Sequence, residues 1–136
     1  MSQSAVRSGD VRITAAIDMV RSHEAFARAG DLEGILSNAA DDIVLLVSGM
    51  PLVDGKAALT GFYRGLLAMG AWEFGHDYAG AEVVGDAVIL HGLARGRLTP
   101  PGGATTEFAN NFILTLRPGA DGCFKFWRIA FAPSTS

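Results

Sequence analysis

The sequence predicts an α+β fold in which a long, curved antiparallel β-sheet wraps around three N-terminal α-helices to form a cone. Three observations carry this. Apolar residues recur at helical spacing through residues 11–29 and again through 56–69. From residue 72 onward the chain reads as strand almost without interruption. The breaks in that run are short turn signals: Gly85-Asp86, Pro100-Pro101-Gly102-Gly103, and Pro118 to Gly122. Connections this short make neighbouring strands antiparallel. A curved sheet covered by helices has an interior, and a small-molecule site is expected there.

The elements follow in order. Residues 1–10 are polar and Ser-rich and read as a disordered tail, leaving a single domain over 11–136. Asp10 is placed to cap the first helix, whose stripe is Val11, Ile13, Ala16, Ile17, Val20, Ala25 and Phe26. Gly30 supplies a left-handed C-cap. Asp31 caps a short second helix that runs to Ala39 and buries Leu32, Ile35 and Leu36. Asp41-Asp42 begins a turn, and Ile43 to Val47 is a β-branched-rich run with the look of a buried strand. Ser48-Gly49-Met50-Pro51 ends that strand, and Asp54-Gly55 turns into a third helix over Lys56–Met69. The face of this helix is Leu59, Phe62, Tyr63, Leu66 and Leu67. Strands over 72–84, 87–99, 104–117 and 123–132 complete the chain.

Composition narrows the function classes. With 49 % hydrophobic and 18 % charged residues over 136 positions, the chain can bury a real core and has little charge left to cover a monomer. A homodimer through the outer sheet face is therefore expected, its apolar surface drawn from Val88, Leu90, Gly92, Ala94 and Ile113. Net charge is −3 and the basic residues are scattered, so nucleic acid is not an expected partner. No apolar run approaches the ~20 residues needed to cross a bilayer, and no membrane partner is expected. The polar N-terminus lacks the apolar core of a signal peptide. The one cysteine, Cys123, excludes an intrachain disulfide and suits a reduced, cytoplasmic setting. His23, His76 and His91 lack metal-ligand spacing, and no G-x-G-x-x-G, P-loop or G-x-S-x-G motif occurs. Neither a metal nor a cofactor is expected.

One family pattern emerges from these elements. The segments Ala29-Gly30-Asp31-Leu32-Glu33-Gly34-Ile35, Ala40-Asp41-Asp42 and Asp54-Gly55-Lys56-Ala57-Ala58-Leu59, together with the Trp127-bearing last strand, resemble the nuclear transport factor 2-like superfamily. The SnoaL-like and ketosteroid-isomerase-like members, with their cystatin-like fold, are the most similar in kind. The resemblance spans roughly Val11 to Phe131. It implies a fold more firmly than an activity, because the superfamily includes isomerases, cyclases, dehydratases and domains with no catalysis.

The isomerase pattern carries over only in part. Its base position in the first strand falls on Val47, which cannot accept a proton; its helix-one tyrosine falls on His23, and its protonated aspartic acid on Asn110. A histidine and an amide still donate hydrogen bonds to a carbonyl or enolate oxygen. Tyr63 matches the isomerase residue that bonds the helix-one group, so a Tyr63–His23 hydrogen bond is implied. In the strand 87–99, the odd positions carry His91, Arg95 and Arg97, and the even positions are small or apolar. Alternation alone leaves open which face is inward. The resemblance puts the odd positions on the concave face, so that His91 and Arg95 point into the cavity and Arg95 meets an anionic group. Phe108, Asn110, Phe112 and Leu114 share a face of the next strand, making Asn110 a lone amide among apolar residues. Trp127, Ile129 and Phe131 share a face of the last strand, and the resemblance turns Trp127 and Phe131 inward. Trp72, Phe74 and His76 alternate on one face and form a candidate cavity rim.

These residues support two classes of function. The first is a cofactor-independent isomerase, cyclase or dehydratase acting on a small hydrophobic carbonyl compound. His23 or His91 would be general acid or base and Asn110 a catalytic donor, with Tyr63, Arg95, Trp127, Phe112, Phe131 and Trp72 holding the ligand. A scytalone-dehydratase-like variant suits His91 and Asn110, although its helix-one carboxylate has no evident counterpart. The second class is a non-catalytic ligand-binding or dimerisation module, which Val47 at the base position favours.

Overall fold

The computed structural model describes residues 10–134. The N-terminal tail, apart from Asp10, lies outside the described residues. Helix α1 (Val11–Ala29) starts at Asp10, whose carboxylate accepts from the Arg12 amide, and stops at Gly30 with φ 70°. Helix α2 (Leu32–Ser37) is capped by the Asp31 carboxylate on the Gly34 amide. It is two residues shorter than the expected helix to Ala39, because Ala39 already belongs to a strand. The remaining elements are β1 (Ala39–Val47), β2 (Val53–Asp54), α3 (Lys56–Ala68), β3 (Ala71–Val84), β4 (Ala87–Thr99), β5 (Thr106–Pro118) and β6 (Phe124–Pro133). Among the described residues no helix is long and apolar enough to cross a membrane.

The strands form one sheet in the order β2-β1-β6-β5-β4-β3. The meander from β3 to β6 is antiparallel, as its short turns require. The first strand differs, since β1 adds to the far side of β6 in parallel and makes the sheet mixed. Short turns constrain only consecutive strands, and β1 reaches β6 across the whole chain. β1 also begins earlier than its β-branched run suggests. Asp41 and Asp42 belong to it, within an irregularity of register between Ala39 and Val44. The expected turn does not form there because Asp42 is tied to β6, with Trp127 Nε1 donating to its Oδ2 at 3.2 Å.

Register fixes which side chains share a face. One row runs Val47–Phe131–Phe112–Gly92–Tyr78 and the next Leu45–Ile129–Leu114–Leu90–Ala81. These rows face the helices: Leu45, Leu90, Phe112 and Leu114 are buried together with Ile13, Ala16, Ile17 and Val20 of α1. Fully burying side chains of this size contributes about 1.5–3 kcal/mol each. The intervening row, Leu46–Ala130–Ile113–His91, lies on the outer face.

The even positions of β4 are thus inward and the odd ones outward, the reverse of the expectation. The physical reason lies in the neighbouring strands. Gly92, Ala94 and Gly96 pair with Tyr78 and Phe112, His76 and Asn110, and Phe74 and Phe108. Large side chains on both sides fill the space that the small ones leave. Val88, Leu90 and Ala94 are core and unavailable for a dimer surface, while Ile113 is 52 % exposed.

Candidate functional site

Between α3 and the inner face of β3, β4 and β5 lies a cavity of about 420 Å³. Its lining includes Val47, Phe62, Tyr63, Leu66, Trp72, Phe74, His76, Ala94, Phe108, Asn110 and Phe131, with no lysine, arginine, aspartate or glutamate at its surface. The position of its polar groups follows from register. His76, Ala94 and Asn110 form one row across β3, β4 and β5. The outer two strands of such a row are about 9.6 Å apart, twice the strand spacing. Ala94 between them adds only a methyl group, so an imidazole and a carboxamide flank a slot with a low floor. The row beside it, Phe74–Gly96–Phe108, repeats the arrangement with two rings.

His76 is held from behind. Its Nδ1 is 2.6 Å from Glu24 Oε2, and the two side chains are 2 % and 15 % exposed. A carboxylate only accepts, so the shared hydrogen belongs to Nδ1, and Nε2 is left for the cavity that His76 lines. The ring is fixed further by edge contacts to Phe74 and Phe112 at 5.8 and 4.9 Å and by stacking on Tyr78. The Tyr78 hydroxyl is buried without a hydrogen-bond partner among the described residues; burial, aided by the charge of Glu24, raises its pKa.

A second polar pair begins one residue earlier on α1. His23 Nε2 lies 3.4 Å from Tyr63 Oη, and the His23 ring packs edge-on against Phe126 at 4.9 Å. His23 is 7 % exposed, with Nδ1 buried and unpartnered among the described residues. Burial, together with the charge of nearby His76, pushes its pKa down to about 3, so it is a neutral imidazole near pH 7. Burial raises the pKa of Tyr63, which stays a protonated phenol. The Asn110 side chain makes no protein hydrogen bond among the described residues and borders the cavity. Trp72 presents its ring, its indole N–H being engaged with the Leu66 carbonyl at 2.6 Å.

Comparison with known proteins identifies the family. A SnoaL-like domain model matches residues 19–128. The chain belongs to the SnoaL-like domain family. No curated protein matches the chain, and the likeness to solved structures is one of fold. A ketosteroid isomerase-like protein from Erwinia carotovora atroseptica superposes with a TM-score of 0.76 at 18 % identity, over 88 % of this chain and 93 % of the other. A conserved protein from Planctomyces limnophilus gives 0.80 at 20 %, over 89 % and 96 %. A nuclear transport factor 2-like protein with a cystatin-like fold from Novosphingobium aromaticivorans gives 0.70 at 19 %, over 90 % and 82 %.

The SnoaL-like domain brings together some of the expected site residues and disperses the others. Tyr63, Trp72, Asn110 and Phe131 line the cavity. His23 stands behind Tyr63, and Phe112 packs against His76 in the buried core. His91 and Arg95 do not enter the cavity. His91 is exposed on the outer face, and its ring lies over Gly80, where a β-carbon would collide with its Cε1. Arg95 is exposed beside Asp77 at 3.7 Å, a solvent-screened pair on the outer face. Trp127 also faces away. The register shift between β5 and β6 falls at Trp127, where a bulge re-aims the side chain, and its ring lies beneath the guanidinium groups of Arg117 and Arg128 at 4.3 and 4.2 Å.

The residue that sequence reasoning missed is Glu24. Val20 and Ala27, four positions before and three after it, are both buried. Glu24 therefore lies on the inward stripe of α1, and a carboxylate in such a place requires a partner. His76, read only as part of a rim, is that partner. Among the described residues no group of three His, Cys, Asp or Glu side chains is placed to hold a metal ion.

Proposed function

We propose that this SnoaL-like domain binds a small, uncharged, hydrophobic carbonyl compound in the cavity and moves a proton on it. His76 takes the proton from the carbon next to the carbonyl through Nε2. Glu24 stabilises the imidazolium that forms, Asn110 donates to the developing enolate oxygen, and the imidazolium, after exchange with solvent, delivers a proton to the ligand. Such a step is balanced without a cofactor and serves an isomerase, cyclase or dehydratase. The observation that carries the reading is the carboxylate-backed imidazole in a cavity with no charged lining residue. Val47, at the usual base position, lines the cavity as an apolar wall. The base is thus assigned to β3 instead of β1.

The test is proton exchange on a panel of neutral cyclic enones in D2O, followed by NMR. The wild type should catalyse deuterium incorporation next to the carbonyl, and His76→Ala should bind the enone without exchanging it. Exchange that survives His76→Ala removes His76 from the role. Binding without exchange by the wild type favours the second reading, a ligand-binding module.

We also propose self-association through the outer sheet face. Leu46 and Ile113, 51 % and 52 % exposed, border an apolar groove of about 430 Å³ on that face. Light scattering should give a dimer mass for the wild type and a monomer mass for Ile113→Glu; a monomeric wild type removes the proposal.

A further inference from the structure

We propose that the C-terminal half of α3, residues 61–68, is the gate through which ligand enters and leaves the cavity. The inference rests on the ligand-binding part of the function proposed above. Phe62, Tyr63, Leu66 and Leu67 form one wall of the cavity. Yet only Leu59, near the start of the helix, is buried along its whole side chain; Phe62, Tyr63, Leu66 and Leu67 are partly exposed. The helix is anchored through Leu59 near its start and through the Tyr63–His23 contact at its middle, and it walls the cavity with the turns that follow. Met50 and Thr106, the exposed members of the lining, put the mouth beside the second half of the helix.

That half also contains the poorest helix formers. Gly61 and Gly65 are exposed, and at both the space that a β-carbon would occupy is open. Packing therefore does not require glycine at either place. Relative to alanine, a glycine in an exposed helix interior shifts the local equilibrium toward unwinding about fivefold, and two together roughly 20-fold. The helix is followed by a pivot and held by a latch. Gly70 has φ 146°, and any side chain there would collide with the Thr99 carbonyl, so only glycine serves at that joint. The latch is the Trp72 indole, whose N–H donates to the Leu66 carbonyl at 2.6 Å and ties the helix to β3. The facing walls are β4 and β5, paired with each other from Val88 to Leu98 and from Thr106 to Leu116. Weak helix, pivot and latch thus coincide in the helical wall of the mouth.

Gly61→Ala/Gly65→Ala tests this, because neither methyl group meets an obstacle and neither residue lines the cavity. Hydrogen exchange of the Leu66–Met69 amides should slow roughly 20-fold in the double variant. Stopped-flow binding of the neutral fluorophore N-phenyl-1-naphthylamine should show association and dissociation slowed by a similar factor, with Kd unchanged. Trp72→Phe, which keeps a ring and removes the latch, should speed both. Slower amide exchange with unaltered binding rates would overturn the gate, as would amides of α3 that exchange in the wild type no faster than those of α1. If the fluorophore fails to bind the wild type, the ligand-binding reading falls with it; amide exchange in the two variants still decides whether this half of α3 opens.

Discussion

Glu24 Oε2 and His76 Nδ1 stand 2.6 Å apart, joining the inward face of α1 to the cavity floor on β3 across 52 residues of sequence. Both side chains are largely removed from water, so each depends on the other for its hydrogen bond. The first prediction follows. Glu24→Leu should destabilise the fold by roughly 2–3 kcal/mol, because it leaves the buried imidazole without its acceptor. Glu24→Leu/His76→Phe should recover most of that loss, since neither polar group then remains. Urea unfolding of the two variants measures both values, and an equal loss in each would show that packing, not the pair, sets the cost.

His23 makes stability depend on pH. Its folded pKa of about 3 lies below the ordinary value of 6.5, so the unfolded chain binds the extra proton between these limits. The slope of unfolding free energy with pH is then positive, and the contribution of His23 falls by about 1.4 kcal/mol per unit as pH drops from 6.5 toward 3. His23→Phe suits the surrounding Phe74 and Phe126 rings and removes the titration. Stability measured at pH 6.5 and 4.5 should fall more in the wild type than in His23→Phe. Identical falls would contradict the neutral, buried imidazole.

The slot over Ala94 predicts a steric result. Ala94→Leu should abolish binding of N-phenyl-1-naphthylamine while costing about 1–3 kcal/mol of stability through overpacking. Fluorescence titration and urea unfolding of the same variant separate the two effects.

Asn110 should matter only to ligands that carry oxygen. Asn110→Ala should weaken an enone by about 2- to 12-fold, the equivalent of one hydrogen bond of 0.5–1.5 kcal/mol, and leave a hydrocarbon of the same shape unaffected. Competition titrations with the two ligands provide the comparison.

Trp127 and Arg95 should be silent in the cavity. Trp127→Phe loses the bond to Asp42 and costs about 1 kcal/mol. Arg95→Ala breaks only an exposed pair and should stay within about 0.5 kcal/mol of wild type. Neither should change fluorophore affinity, and a loss of binding in either would return that residue to the site.

Much of this protein is determined by local sequence. The caps at Asp10 and Asp31, the stop at Gly30, the turn at Gly85-Asp86 and the bounds of β4 follow from short-range chemistry that acts the same way wherever the segment is placed. The cone of helices and sheet follows from their order, and the shared face of Phe108, Asn110, Phe112 and Leu114 from alternation within one strand. Only the tertiary structure decided what depends on partners distant in the chain. Alternation divides β4 into two faces but does not say which is inward; the bulky neighbours on β3 and β5 decide that, and they turn His91 and Arg95 to solvent. A bulge that forms only when β5 and β6 pair turns Trp127 outward. The parallel β1–β6 ladder and the Glu24–His76 bond likewise join residues whose approach no local propensity encodes, because the free energy that selects them resides in the assembled core.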